Sequence, residues 1–255
     1  MRKLTVLLTM AGLCLFGLAS AGVAASLIGK GELIVGTEGT WPPYEYYDED
    51  NKLTGFDIEL VYALGRQLGK KVTVVDMAFD GLIPALLTRK IDVIAAGMHS
   101  TAERKKRIDF SDVYSYADSA LVVKYDNDSI ESVDDMEGKV IGTQFGTTED
   151  IFLSQRDNID IKRYQKAVDA VRDVMLDRND GVLIGTVVAR SYVESGSFKG
   201  GLKIAFRHDV DKPDEGFALA LRKNDPQFLE AVNAALKELD NSGVLPALKV
   251  KYGLD

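Results

Sequence analysis

The chain has 255 residues, a formal net charge of −8 and a single cysteine. An acidic chain of this kind is a poor partner for nucleic acid or for an anionic membrane, and one cysteine excludes a framework of internal disulfides. Its length suits one large domain or two of ordinary size. Met1-Arg2-Lys3 precedes an apolar run over residues 4–18 and then the small residues Ala19-Ser20-Ala21-Gly22-Val23-Ala24-Ala25. That order reads as a secretory signal, and the run is shorter than the roughly 20 residues a membrane span needs. Ala21, Ala24 and Ala25 each permit cleavage, and Ala25 is taken as the site, which makes residues 1–25 a signal peptide. Removal of Arg2 and Lys3 takes the charge from −8 to −10, and Cys14 leaves with them. The mature protein is expected in the periplasm, held together by its core with no disulfide.

From Leu33 onward, short β-rich runs alternate with stretches of helical period, the arrangement expected of an α/β protein with largely parallel sheets. Residues 33–35 form a strand, and 56–68 a helix with Ile58, Val61, Leu64 and Leu68 on one face. A strand at 72–75, a helix at 84–89 and a strand at 91–95 follow, with a turn at Gly97 and a charged segment at 102–107. A second unit begins after Asp118. Residues 120–124 read as a strand crossing between lobes, 133–137 as a helical turn, and 139–142 as a strand leading to Gly146-Thr147-Thr148. Helices at 148–155 and 167–177 and a strand at 181–184 complete that unit. A last strand at 216–221 and a helix at 226–239, with Phe228, Val232, Ala235 and Leu239 on one face, have nowhere to pack unless they return to the first unit.

Several segments together resemble the periplasmic receptors for polar amino acids of bacterial ABC importers, solute-binding protein family 3. They are Trp41-Pro42-Pro43-Tyr44-Glu45, Gly55-Phe56-Asp57-Ile58-Glu59-Leu60, Phe79-Asp80-Gly81-Leu82-Ile83-Pro84-Ala85-Leu86, Ile91-Asp92-Val93-Ile94-Ala95-Ala96-Gly97-Met98, Glu103-Arg104-Lys105-Lys106 and Gly146-Thr147-Thr148. The resemblance implies a two-lobed periplasmic-binding-protein fold of type II with two crossing hinge strands. Residues 26–117 and 216–255 would form lobe 1, and 118–215 lobe 2 with the hinge strands. It also implies a monomer that binds a small carboxylate ligand, an amino acid or an amine-lacking analogue, and presents it to a permease and its ATPase. No cofactor, metal or nucleic acid is implied.

Carried over residue by residue, Arg104 matches the arginine that pairs with the ligand carboxylate, a role suited to a planar guanidinium. Gly146-Thr147-Thr148, between a strand and a helix, offers backbone N–H groups and hydroxyls to an anion. Gln144 matches a position that varies with ligand. Trp41, Tyr44 and Phe79 are candidates for an aromatic clamp, and Gly97 and Met98 belong to the turn beside it. Two positions depart from the pattern. Gly185 stands where the family has the aspartate that takes the ligand's α-ammonium, and His99 stands where it has a serine or threonine. Either the ligand lacks an α-ammonium, with His99 supplying a donor beside Arg104, or Glu38 pairs with the ammonium from the first lobe, or the correspondence shifts near Asp180. A cleft enzyme of the cyclohexadienyl dehydratase type is the alternative function. It would need an acid soon after position 185, where the chain reads Gly185-Thr186-Val187-Val188-Ala189. Only His99 and His208 are available to a hydrolytic or metal site, with no ligand-spaced cluster around either.

Overall fold

The computed structural model describes residues 26–208 and 215–254. The expected signal peptide and its cleavage site lie outside the described residues. The chain opens with β1 (Glu32–Thr37), followed by three short strands, β2 (Thr40–Trp41), β3 (Glu45–Tyr47) and β4 (Leu53–Thr54). Then come α1 (Phe56–Gln67), β5 (Lys71–Asp76), α2 (Phe79–Leu87), β6 (Val93–Ile94), α3 (Ala102–Lys105) and β7 (Asp109–Phe110). The second lobe contains β8 (Ser119–Lys124), β9 (Val140–Gln144), α4 (Thr148–Ser154), β10 (Asp160–Tyr164), α5 (Ala167–Met175), β11 (Gly181–Gly185), α6 (Thr186–Glu194) and β12 (Leu202–His208). The chain closes with β13 (Ala220–Leu221), α7 (Pro226–Asn241) and α8 (Val244–Tyr252).

These elements make two five-stranded sheets, ordered β5-β1-β6-β13-β7 and β10-β9-β11-β8-β12, and a small sheet β2-β3-β4. In the first, β1 runs parallel to β5 and β6 while β13 enters antiparallel. In the second, β9 is parallel to β10 and β11, and β8 is antiparallel to both its neighbours. The antiparallel strands are those next to the inter-lobe crossings, which reverse the chain. β8 and β12 pair as far as Ser119 with His208, and beyond that pair a bridge joins Ser115 to Phe217 on the first-lobe side. Residues 120–124 were expected to make the crossing themselves. Instead Ala120 to Val123 are fully buried inside the second sheet, and the crossing falls just before them.

The expected C-terminal return to the first lobe is observed. β13 is built into the first sheet, and α7 and α8 pack on α1, burying Val232, Leu236 and Leu245 with Leu60 and Leu64. Two other boundaries moved. The α2 helix starts five residues before Pro84 and holds that proline inside it. Phe79, Leu82, Ala85 and Leu86 share its buried face, and their burial offsets the lost backbone hydrogen bond. The strand expected at 216–221 is reduced to Ala220–Leu221, because Phe217 makes only isolated bridges to His99 and Ser115. No helix among the described residues is long and apolar enough to cross a membrane.

The lobes are closed on one another. Tyr192 on α6 donates to the Thr40 carbonyl at 2.6 Å, and the Ala167 N–H donates to the Thr40 hydroxyl at 3.1 Å. The largest buried apolar cluster accordingly runs through both lobes, from Leu33 and Leu60 to Val171 and Val182. Loss of the Tyr192 hydroxyl in Tyr192→Phe is expected to shift the unliganded protein toward an open form. It should raise the radius of gyration in small-angle scattering and weaken ligand binding about fivefold, the worth of roughly one net hydrogen bond.

Candidate ligand-binding site

The sequence places a polar ring around the mouth of each sheet. Strands β1, β6, β9 and β11 end at the inter-lobe cleft, so the residues that follow them face it. The cleft is lined by Glu38, Trp41, Glu45, Phe79, Ala96, Gly97, His99 and Arg104 from the first lobe, and by Gln144, Thr147, Thr148 and Glu149 from the second.

Arg104 sits in the short α3 helix, whose first turn is fixed by Thr101 accepting from the Arg104 N–H. Its guanidinium is buried over the Phe79 ring, 5.5 Å from the centroid. Nη1 donates to the His99 carbonyl at 2.8 Å, and Nη2 donates across the cleft to the Gly146 carbonyl at 3.0 Å. Each terminal nitrogen carries a second N–H, and the forked pair is the arrangement that receives a carboxylate. Burial pulls the Arg104 pKa down to about 10, while the fields of Glu149 and Glu215 favour the cation.

His99 is only 7% exposed, and its ring stands edge-on to Phe217 at 4.4 Å. Nε2 faces the Ala117 carbonyl at 3.4 Å and Nδ1 faces the Thr148 hydroxyl at 3.3 Å. A carbonyl can only accept, so this network puts the proton on Nε2 and leaves Nδ1 as acceptor. Burial lowers the His99 pKa and favours this neutral form. Glu38 is buried and accepts from Gln144 Nε2 across the cleft at 2.9 Å and from the Thr40 hydroxyl at 2.9 Å. Burial raises the Glu38 pKa against the pull of those donors.

Trp41 closes the back of the site between two glycines, one on each lobe. A Cβ at Gly97, whose φ is +49°, would lie 3.0 Å from Trp41 Cδ1, and one at Gly185 would lie 3.5 Å from Cζ2. Trp41 Nε1 is a buried donor with no acceptor. Behind it, Glu45 is hydrogen-bonded to the fully buried Asp57, which also accepts from the Gly97 N–H at 2.9 Å and the Tyr114 hydroxyl at 2.7 Å. Burial drives the Glu45 pKa well above the carboxylate range and that of Asp57 up to about 6. Among the described residues Glu45 Oε2 and Asp57 Oδ1 meet no other donor, and one proton shared between the two carboxyls satisfies both.

Fold and geometry correspond to those of known solute receptors. The chain matches the model of the bacterial extracellular solute-binding proteins, family 3, over residues 33–255. It belongs to that family. The arginine-binding extracellular protein ArtP of Bacillus subtilis is 36% identical over 98% of this chain and 98% of its own length. The L-cystine-binding protein TcyJ of Escherichia coli K12 is 32% identical over 95% and 90% respectively. Among solved structures, an ancestral arginine-binding protein bound to arginine superposes with a TM-score of 0.83 at 39% identity, covering 88% of this chain and 98% of the other.

Within this family-3 protein, nine of the twelve residues picked from the sequence lie on the cleft wall: Glu38, Trp41, Phe79, Gly97, His99, Arg104, Gln144, Thr147 and Thr148. Three do not. Tyr44 is 0% exposed, edge-on to Phe217, with its hydroxyl 3.0 Å from that of Ser115; it is a core residue under the crossing strands and no part of a clamp. Met98 packs with Phe79, Leu82 and Ile108 in a buried apolar cluster. Gly185 lies beneath the Trp41 indole. The Gly146-Thr147-Thr148 turn is also less open to an anion than its sequence suggests. The Gly146 N–H donates to Asp150 at 3.0 Å, and the Thr147 hydroxyl donates to the Gln144 carbonyl at 2.9 Å. Glu45, Ala96 and Glu149 line the cleft without having been expected there. Glu149 had a readable position, directly after Thr148 in the first turn of a helix facing the cleft.

Proposed function

We propose that this protein is a receptor that closes on an α-amino acid with a cationic side chain and hands it, as a monomer in the periplasm, to the permease and ATPase of an ABC importer. One observation carries the reading: a buried arginine and buried carboxylates face each other across a closed cleft. With Glu45 protonated and His99 neutral, the charges facing the ligand are Arg104 against Glu38 and Glu149. An amino acid's own carboxylate and ammonium cancel each other, which leaves one negative charge in the cleft for a side-chain cation. Glu38, with Gln144 beside it, stands apart from Arg104 where a guanidinium or ammonium side chain would end. The arginine-binding relatives support a cationic ligand, and the cystine-binding one fits the amino-acid class without the charge.

A thermal-shift screen of the standard amino acids, each beside the matched acid lacking its α-amine, tests this reading. Arginine and lysine are expected to raise the melting temperature most, since a ligand that binds only the native state stabilises it in proportion to ln(1 + [L]/Kd). Stabilisation only by acids without the amine would reject it. Ligand recovered chemically unchanged after prolonged incubation separates a receptor from the dehydratase alternative, for which residues 185–189 offer no acid.

A further inference from the structure

Glu149 is 3% exposed and lines the cleft from the second lobe; Ser119 donates to its Oε1 at 3.0 Å, and the Thr148 hydroxyl, whose one proton His99 Nδ1 also faces, stands 3.1 Å from Oε2. Ser119 is the direct cross-strand partner of Gly185, so this carboxylate reaches the same corner of the cleft as the end of β11, though it arrives from α4. Gly185 brings no side chain there, and Trp41 covers it. Among the carboxylates, Glu149 also exerts the strongest field on both Arg104 and His99. Its carboxylate shares the cleft wall with the proposed carboxylate-binding guanidinium and acts on it more strongly than Glu215 does. In an α-amino acid the carboxylate and ammonium are attached to one carbon, so a receptor for it needs its cation and anion side by side. Glu38 is instead held by Gln144 and Thr40, and it is Glu149 whose field acts on Arg104. One hydroxyl donor and a share of a second leave the Glu149 carboxylate further lone pairs for a ligand N–H.

We propose that Glu149 receives the ligand's α-ammonium, taking from the first turn of α4 the place that Gly185 leaves empty at the end of β11. This rests on the amino-acid reading above and specifies how the amine is held. It leaves Glu38 free to read the side chain.

The test compares L-arginine with 5-guanidinopentanoic acid, the same molecule without its α-amine, by calorimetry on the wild type, Glu149→Gln and Glu149→Gln/Gly185→Asp. The wild type is expected to prefer arginine. Glu149→Gln should lose about 100-fold in arginine affinity, the scale of truncating one member of a buried charge pair, while the acid changes less than about threefold. Restoring a carboxylate with Gly185→Asp in that background should recover at least about tenfold for arginine alone. In the wild-type background Gly185→Asp should give no gain, since it sets a second anion beside Glu149. If Glu149→Gln does not fold, Glu149→Asp carries the same comparison, with arginine weakened about tenfold and the acid unchanged. Equal losses for both ligands would make Glu149 only a structural counterion of Arg104 and overturn the proposal. A wild type that prefers the amine-lacking acid would overturn both this inference and the amino-acid reading. A wild-type preference for arginine that survives in Glu149→Gln overturns the inference alone.

Discussion

Arg104→Ala is expected to abolish the ligand-induced rise in melting temperature and to weaken binding by at least about 100-fold, since truncating one side of a buried, hydrogen-bonded charge pair costs about 2–5 kcal/mol. The loss has three sources in the structure. The forked N–H groups disappear, the Nη2 bond to the Gly146 carbonyl that ties the lobes together is broken, and Glu149 is left in the cleft without the guanidinium its field acts on. The last two act without ligand, so the unliganded variant should also open. Arg104→Lys retains charge but cannot bond the His99 and Gly146 carbonyls while presenting a fork, and it should recover little of the affinity. A ligand-induced shift unchanged in Arg104→Ala would remove this residue from the site.

The contribution of the Glu45–Asp57 pair to stability should fall as pH rises from 4 to 7, opposed in the same window by His99, whose pKa burial lowers, and the fall should be reduced in Glu45→Gln. Burial raises the Asp57 pKa from 3.8 to about 6, so the pair is most stable protonated. A group whose folded pKa lies above its unfolded value contributes fully below the unfolded pKa, and its contribution is lost as pH passes the folded one. For Asp57 that shift corresponds to about 3 kcal/mol lost over this window. Glutamine at 45 presents an N–H to Asp57 where the acid presents a proton that must be held, so Asp57 can ionise at lower cost. Denaturant unfolding of the two proteins at pH 4, 5, 6 and 7 checks the difference, and parallel curves would dismiss the shared proton. Carboxylates held low, such as Asp173, pushed down to about 2 chiefly by its bond from Lys162, act at more acid pH and with the opposite sign.

What was readable in the sequence divides along local and non-local lines. Helices α1, α5 and α7 announce themselves by periodicity, because one face of each is buried and the other is not, and strands β1, β5 and β11 by short apolar, β-branched runs, β11 being buried on both faces. Strands β10 and β12 lie at the edges of the second sheet, where alternation is weak and charged residues such as Lys162, Arg163 and Arg207 interrupt it. In the cleft, Arg104 and Trp41 were found through motifs. Tyr44 was misassigned because an aromatic next to the site and one beneath it look alike in sequence; only the bond to Ser115 across the fold separates them. Glu149 was overlooked because an acidic residue in a first helical turn has an ordinary local explanation, the helix dipole. Its neighbours Ser119 and Arg104 are 30 and 45 positions away in the chain.

The bond from Arg104 to the Gly146 carbonyl gives one side chain two duties, holding cargo and fastening the lid. A receptor that can fasten itself competes with its own cargo. If the self-fastened form takes nine tenths of the idle population, apparent affinity drops about tenfold, since only the remaining tenth can admit ligand. Under the proposed function, a permease that senses closure alone would also meet counterfeit deliveries and spend ATP on them. On that reading the strength of that one hydrogen bond would set a compromise between how firmly the lobes hold and how often they close with nothing to carry.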